Sequence, residues 1–189
     1  MNIANSGSVN DIAKALGEDG EEFRKIHSPV LRKFASGELN EEEYWQKLSE
    51  ATGKPRPQNW YELWREKAKQ NTCLRTEMVK FVDELKQQGI RCILLSNSIP
   101  PHEEIARERG WYKSFDSLYF SIRTGFYKPD IKAYENVLKS EGLRAEECVF
   151  VDDTKANLVP ARQLGIKTIL AISPAQIIAE VRQGVEKER

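Results

Sequence analysis

The sequence predicts an α/β fold in which a parallel sheet is covered by helices on both faces, with a small bundle of helices in front of it. After residue 72, short apolar runs alternate with amphipathic segments, as in strands that are joined by crossover helices. The runs are continuously apolar, which is typical of strands that are buried on both faces. Before residue 72 the periodicity is helical throughout. We therefore predict two domains, a helical one over residues 1–71 and an α/β core over residues 72–189.

Four helices are predicted in the first domain, and the third has the clearest start and end. Asn40 and Glu43 have the spacing of a capping box, and Gly53 provides an end. The other three segments cover residues 9–16, 23–34 and 60–68. An aromatic face at helical spacing is typical of a core, and the alternative is that part of it faces a substrate.

The second domain is predicted to alternate helices and strands to its end. Helices are expected over residues 78–85, 100–110, 131–138 and from 174 onward, and strands over residues 92–95, 118–120, 148–151 and 168–171. Pro160 locates one more helix, because proline is tolerated in the first turn but not deep in the interior. That helix should start near Asn157 and leave residues 153–156 as a loop at the carboxyl edge of the sheet.

Composition narrows the class of protein and its partners. Lys plus Arg and Asp plus Glu both number 29, so the formal net charge is zero. Without a basic stripe, nucleic acid and anionic membranes are poor candidate partners. No apolar run approaches the ~20 residues of a membrane span, and the first residues do not resemble a secretory signal. Cys73, Cys92 and Cys148 are far apart, which favours small buried side chains in a reducing compartment. We expect a cytoplasmic protein, and the oligomeric state is left open.

Polar residues follow three of the predicted strands, at the edge where open α/β sheets place their ligands. Ser96 and Asn97 end the first strand, Lys128 lies in the loop after the second, and Asp152 and Asp153 end the third. Two adjacent carboxylates resist joint ionisation unless a cation lies between them, so the acids indicate a Mg²⁺ site. Lysine and serine beside such a site suit an anionic substrate, above all a phosphate.

Each of these residues also has a structural alternative. Ser96 suits a helix cap or a turn, Lys128 suits a solvated loop, and the two acids suit a helix N-terminus. The order of the three clusters along successive strands favours the functional interpretation, since chance does not readily supply all three.

The chain resembles the haloacid dehalogenase (HAD) superfamily in the segments around Leu94–Asn97, Ser121–Asp130 and Phe150–Gly165. The resemblance is to the branch with a small helical cap, which includes sugar-phosphate phosphatases, 2-haloacid dehalogenases and the N-terminal domains of epoxide hydrolases. It implies a Rossmann-like core with Mg²⁺ as cofactor and a small phosphorylated substrate. By this resemblance Ser96 and Lys128 are catalytic, Asn97 helps to bind the phosphoryl group, and Asp152 and Asp153 bind the metal.

One part of the family pattern is not found. The first motif of the family is a central strand that ends in Asp-x-Asp and supplies the nucleophile, yet residues 1–8 contain no carboxylate and Asp11 falls at a helix start. Two interpretations follow. One is a HAD-like phosphatase whose given sequence begins late and is inactive as written, and the other is a non-catalytic relative that binds phosphate, metal or a protein.

Overall fold

A computed structural model describes residue 16 and residues 20–71 and 75–186 of the chain. In chain order its elements are α1 (Gly20–Ala35), α2 (Glu41–Thr52), α3 (Trp60–Asn71), α4 (Thr76–Gln87), β1 (Ile93–Ser96), α5 (Pro100–Glu108), β2 (Ser117–Phe120), α6 (Ser121–Thr124), α7 (Ile131–Glu141), a 3₁₀ turn (Ala145–Glu147), β3 (Val149–Asp152), α8 (Lys155–Gln163), β4 (Lys167–Leu170) and α9 (Pro174–Glu186). The predicted alternation of helices and strands is confirmed. The helix predicted over residues 9–16 lies largely outside the described residues.

The chain divides into two compact units. The helical unit comprises the described residues up to 71 together with Ser96–Lys113 and Phe120–Gly125. The α/β unit comprises Arg75–Leu95, Ser114–Tyr119 and the described residues from 126 onward. The division into domains at residues 71 and 72 stays a prediction.

Local sequence signals explain the boundaries of α2. Asn40 Oδ1 accepts from the Glu43 amide at 3.0 Å, and the Asn40 amide donates to Glu43 Oε2 at 2.8 Å, which confirms the capping box. Gly53 ends the helix at a φ of 70°, a conformation that costs a residue with a Cβ atom more than it costs glycine.

The helical unit is built around aromatic rings. Tyr44, Trp60 and Trp64 are almost completely buried, and neighbouring rings meet edge to face or stacked. His27 is fully buried among them, stacks on Phe23 at 5.0 Å, and shares a 2.6 Å hydrogen bond with the Tyr44 hydroxyl. The aromatic stripe of the sequence is therefore core over these residues.

Two apolar layers enclose the strands of the α/β unit. On one side, α4 and α9 pack together with Val151 and Ile169. On the other, α7 and α8 pack together with Leu95 and Phe150. Adjacent residues of a strand point to opposite faces, so Phe150 and Val151 serve different layers. Helices on both faces of the strands are confirmed.

The strands form two pairs in the described part of the chain, β1 with β2 and β3 with β4. The second pair is parallel, with Val149 opposite Lys167 and Asp152 opposite Leu170. No ladder joins β1 to β3 among the described residues. The expectation of a missing central strand concerns the beginning of the chain, outside the described residues, and stays a prediction.

The predicted start of α8 is wrong by two residues. The helix begins at Lys155, so that Pro160 lies in its second turn, and the loop after β3 consists of Asp153 and Thr154 alone. Proline at that position removes a backbone donor, and the first turn is instead held from outside the helix, as described below.

In the part of the chain that the structure describes, no helix is both long and apolar enough to span a bilayer.

Candidate functional site

A buried ion pair joins the carboxyl ends of β1 and β3. Lys128 Nζ donates to Asp152 Oδ2 at 2.7 Å and to the carbonyl oxygen of Leu95 at 2.9 Å. The two charged side chains are only 10% and 7% exposed. A buried charge is costly unless it is paired, and here each partner offsets the other. The structure thus brings together two of the residues that the sequence singled out, Lys128 and Asp152.

The other oxygen of the Asp152 carboxylate fixes the turn that leads into α8. Oδ1 accepts from the Thr154 amide at 2.8 Å and from Asn157 Nδ2 at 3.0 Å. Asn157 is itself buried, in the first turn of the helix. These bonds orient the carboxylate before any ligand arrives, and they explain why α8 begins earlier than Pro160 alone would allow.

Tyr134 supports this arrangement from α7. Its hydroxyl donates to the carbonyl oxygen of Asn157 at 2.6 Å, and the side chain is almost fully buried. Burial, with a contribution from the Asp152 charge, raises the pKa of the Tyr134 phenol, so it stays a hydrogen-bond donor at neutral pH. Sequence reasoning places Tyr134 only on an apolar helix face and misses this role. The signal for it is slight: one hydroxyl among aliphatic residues.

Asp153 differs from its neighbour in being exposed. Its Oδ1 accepts from the Thr154 hydroxyl at 3.4 Å, a long bond that leaves most of the carboxylate available. Asp152 Oδ2 accepts one hydrogen bond from Lys128, so the second lone pair of this oxygen is left for a metal ion. Mg²⁺ is commonly held by one or two carboxylates and several waters, so the two acids fit this ion. Among the described residues, no group of three or more His, Cys, Asp and Glu side chains converges on a common point.

The remaining predicted residues lie at the end of β1. Ser96 is the last residue of that strand and Asn97 follows it, both half-buried, and both belong to the helical unit. Their joint action with Lys128 stays a prediction. Asp130, two residues after Lys128, caps α7 by accepting from the Lys132 amide at 3.0 Å, which is a structural role.

Comparisons with known proteins identify the class to which this fold and these residues belong. The family model for haloacid dehalogenase-like hydrolases matches residues 3–165. The chain belongs to the haloacid dehalogenase-like hydrolase family.

Two relatives whose names state an activity match large parts of this chain. A sesquiterpene phosphatase, astK, from Aspergillus oryzae is 28% identical over 84% of this chain and 80% of its own length. The GMP/IMP nucleotidase YrfG from Escherichia coli is 31% identical over 65% of this chain and 62% of its own length. The chain thus spans less than two thirds of the nucleotidase.

A solved structure has the same fold. It is a HAD-family enzyme of Bacteroides thetaiotaomicron, a mutant with one aspartate replaced by alanine, in a complex with magnesium and inorganic phosphate. It aligns with a TM-score of 0.73 at 20% identity, over 89% of this chain and 86% of its own.

Proposed function

We propose that the protein is a Mg²⁺-dependent phosphatase of the HAD-like family that acts on a small phosphorylated metabolite. The observation that carries this proposal is the buried Lys128–Asp152 pair, with the exposed Asp153 directly after it. A cation and two carboxylates at one sheet edge form an incomplete site for an anion and a divalent metal ion.

Each residue has a role in this proposal. Asp152 and Asp153 would hold Mg²⁺, which would supply positive charge to neutralise the phosphoryl oxygens. Lys128 provides a second, fixed positive charge whose position is set by Asp152 and Leu95. Ser96 donates a hydrogen bond to the phosphoryl group and Asn97 helps to orient it.

The second acid favours a phosphatase over a dehalogenase. By family resemblance, a dehalogenase of this kind uses no metal and has no need of Asp153. The names of the matched relatives, a sesquiterpene phosphatase and a nucleotidase, also support phosphate ester chemistry.

We also propose that this phosphatase is inactive as these 189 residues, because the nucleophile motif of the family is not found among them. The nucleophile of the family is the first Asp of Asp-x-Asp, and the first eight residues contain no carboxylate. In a serine protease, removal of the nucleophile costs about 10⁶-fold in kcat, so a chain without one has no measurable turnover.

A non-catalytic binding protein is the second candidate, and one observation favours it. Lys128 neutralises Asp152 directly at 2.7 Å, so the buried carboxylate is compensated even without a metal ion. The pair therefore does not by itself require a bound metal ion. A non-catalytic protein would not need Asp153, whose exposed carboxylate accepts a long bond from the Thr154 hydroxyl at 3.4 Å.

Hydrolysis of an aryl phosphate in the presence of Mg²⁺ tests the catalytic part of the proposal. We expect no turnover above background from the 189-residue chain. Turnover that disappears in Asp152→Asn would contradict this expectation, because it would show another residue acting as nucleophile.

The coding DNA upstream of Met1 separates the phosphatase from the non-catalytic candidate. An in-frame apolar segment that ends in Asp-x-Asp would support the phosphatase and exclude the non-catalytic protein. A stop codon directly upstream, without such a segment, would support the non-catalytic candidate.

A further inference from the structure

The side chain of Ile172 is exposed to solvent, although an apolar residue just before a helix N-cap often packs against that helix. It is 76% exposed, the highest value among the exposed large apolar side chains of the described residues. Ser173 caps α9 by accepting from the Gln176 amide at 3.2 Å, so Ile172 occupies the position just before the cap. An apolar residue there often packs against the fourth helical residue, here the buried Ile177, yet Ile172 points away into solvent.

The exposure of Ile172 is not the result of a loosely held loop. The side-chain amide of Gln176 binds the loop at both ends: its Nε2 donates to the Leu170 carbonyl at 3.1 Å, and its Oε1 accepts from the Ile172 amide at 3.1 Å. The same oxygen lies 3.5 Å from the Ser173 amide. The backbone that carries the isoleucine is therefore fixed.

This loop lies at the edge of the sheet that carries the two acids. β4 runs parallel to β3 with Leu170 opposite Asp152, and the Ala171 amide donates to the Asp152 carbonyl at 2.9 Å. Paired strands lie about 4.8 Å apart. Ile172 comes one residue after this bond, on the same carboxyl edge as Asp153. An exposed apolar residue thus follows β4 at the same edge of the sheet where Asp153, a residue proposed to hold the metal, follows β3.

We propose that Ile172 contacts the organic part of the substrate and selects phosphate monoesters whose ester group is apolar near the phosphorus. This inference rests on the proposed function, because it assumes that the phosphoryl group binds at Asp152 and Asp153. The contact removes apolar surface from water for both partners, whereas a sugar or another polar group would gain nothing from it.

Calorimetry with two phosphonates of equal charge tests the inference. Hexylphosphonate and methylphosphonate, each with Mg²⁺, are titrated into the unaltered chain and into Ile172→Thr, which keeps a β-branched side chain. Val149→Thr is the matched control: Val149 is also exposed, at 38%, but begins β3 at the opposite end of the strand from Asp152.

The measured quantity is the ratio of the two dissociation constants. We expect the unaltered chain to bind hexylphosphonate more tightly than methylphosphonate, and Ile172→Thr to reduce this preference by about tenfold, the effect of losing ~1.4 kcal/mol of apolar contact. Val149→Thr should leave the preference unchanged. Equal weakening of both ligands in Ile172→Thr, or no preference in the unaltered chain, would overturn the role of Ile172 but leave the proposed function standing. Failure of methylphosphonate to bind would overturn the proposed function and this inference together.

Discussion

The two units of the protein differ in how they accommodate buried ionisable groups. In the helical unit, His27 is buried among aromatic rings and His102 is buried against Trp64, and burial lowers the pKa of each histidine to about 4, so both are neutral at pH 7. In the α/β unit, Lys128 and Asp152 are buried as an ion pair with hydrogen bonds to both charges. The helical unit also buries the Glu103 carboxylate, but its partners Arg107 and Arg123 are exposed to solvent. In the Lys128–Asp152 pair both charged groups are buried, and a pair kept at that desolvation cost marks a candidate place for chemistry.

The substitution Lys128→Met tests this contrast and is expected to have the largest effect on stability. It leaves the buried Asp152 without its cation and the Leu95 carbonyl without its donor. We expect a loss of about 3–5 kcal/mol in the free energy of unfolding, the usual result of removing one partner of a buried pair. Urea unfolding followed by far-ultraviolet circular dichroism measures this loss. The control is Lys132→Met, in the first turn of α7 and exposed, which should cost less than about 0.5 kcal/mol. Equal losses in the two variants would show that the buried Lys128 contributes no more to the free energy of unfolding than an exposed lysine does.

Acid should weaken the helical unit first. The unfolded histidine pKa is 6.5 and the folded value is about 4 for both histidines, so the unfolded state binds protons first as the pH falls. The contribution of the two neutral histidines to the free energy of unfolding is therefore complete above pH 6.5 and is lost progressively towards pH 4. Between pH 7 and pH 5 we expect a loss of about 2 kcal/mol per histidine.

Tryptophan fluorescence reports on this unit alone, because all four tryptophans of the chain, Trp45, Trp60, Trp64 and Trp111, belong to it. Urea unfolding at the two pH values, followed by this signal, measures the effect. His27→Gln should reduce the pH dependence by about half, since one of two equal contributions is removed. An unchanged pH dependence in this variant would contradict the assignment to His27.

A smaller effect is expected from the hydroxyl of Tyr134. Tyr134→Phe removes the 2.6 Å bond to the Asn157 carbonyl and loosens the first turn of α8, at a cost of about 1 kcal/mol. Tyr119→Phe is the matched control in the same unit, because the Tyr119 hydroxyl donates to Glu141 in a half-buried position at 2.7 Å. Thermal unfolding of both variants compares them. If Tyr119→Phe is the more destabilising, the Asn157 bond is not an anchor of the helix.

Sequence patterns predict the local structure better than they predict the site. The capping box of α2 and the glycine at its end depend on residues close together in the chain, and both are found. The start of α8 is missed because its first turn is held by two bonds that match no capping pattern. One is to the Asp152 carboxylate, five residues before Asn157, and the other is from the hydroxyl of the distant Tyr134. The polar clusters are identified by their order along the strands. The direct bond between Lys128 and Asp152 is not predicted, since spacing in the sequence gives no distance between side chains.

The central claim is that the Lys128–Asp152 pair, with Asp153, forms part of a Mg²⁺-dependent phosphate site. Calorimetric titration of inorganic phosphate with and without Mg²⁺ tests it most directly, and Asp153→Asn is the informative variant because an exposed side chain can be changed without loss of the fold. We predict phosphate binding that requires Mg²⁺ and is weakened at least about tenfold in Asp153→Asn, equivalent to ~1.4 kcal/mol. Phosphate that fails to bind, or that binds equally well without Mg²⁺ and in the variant, would contradict the claim.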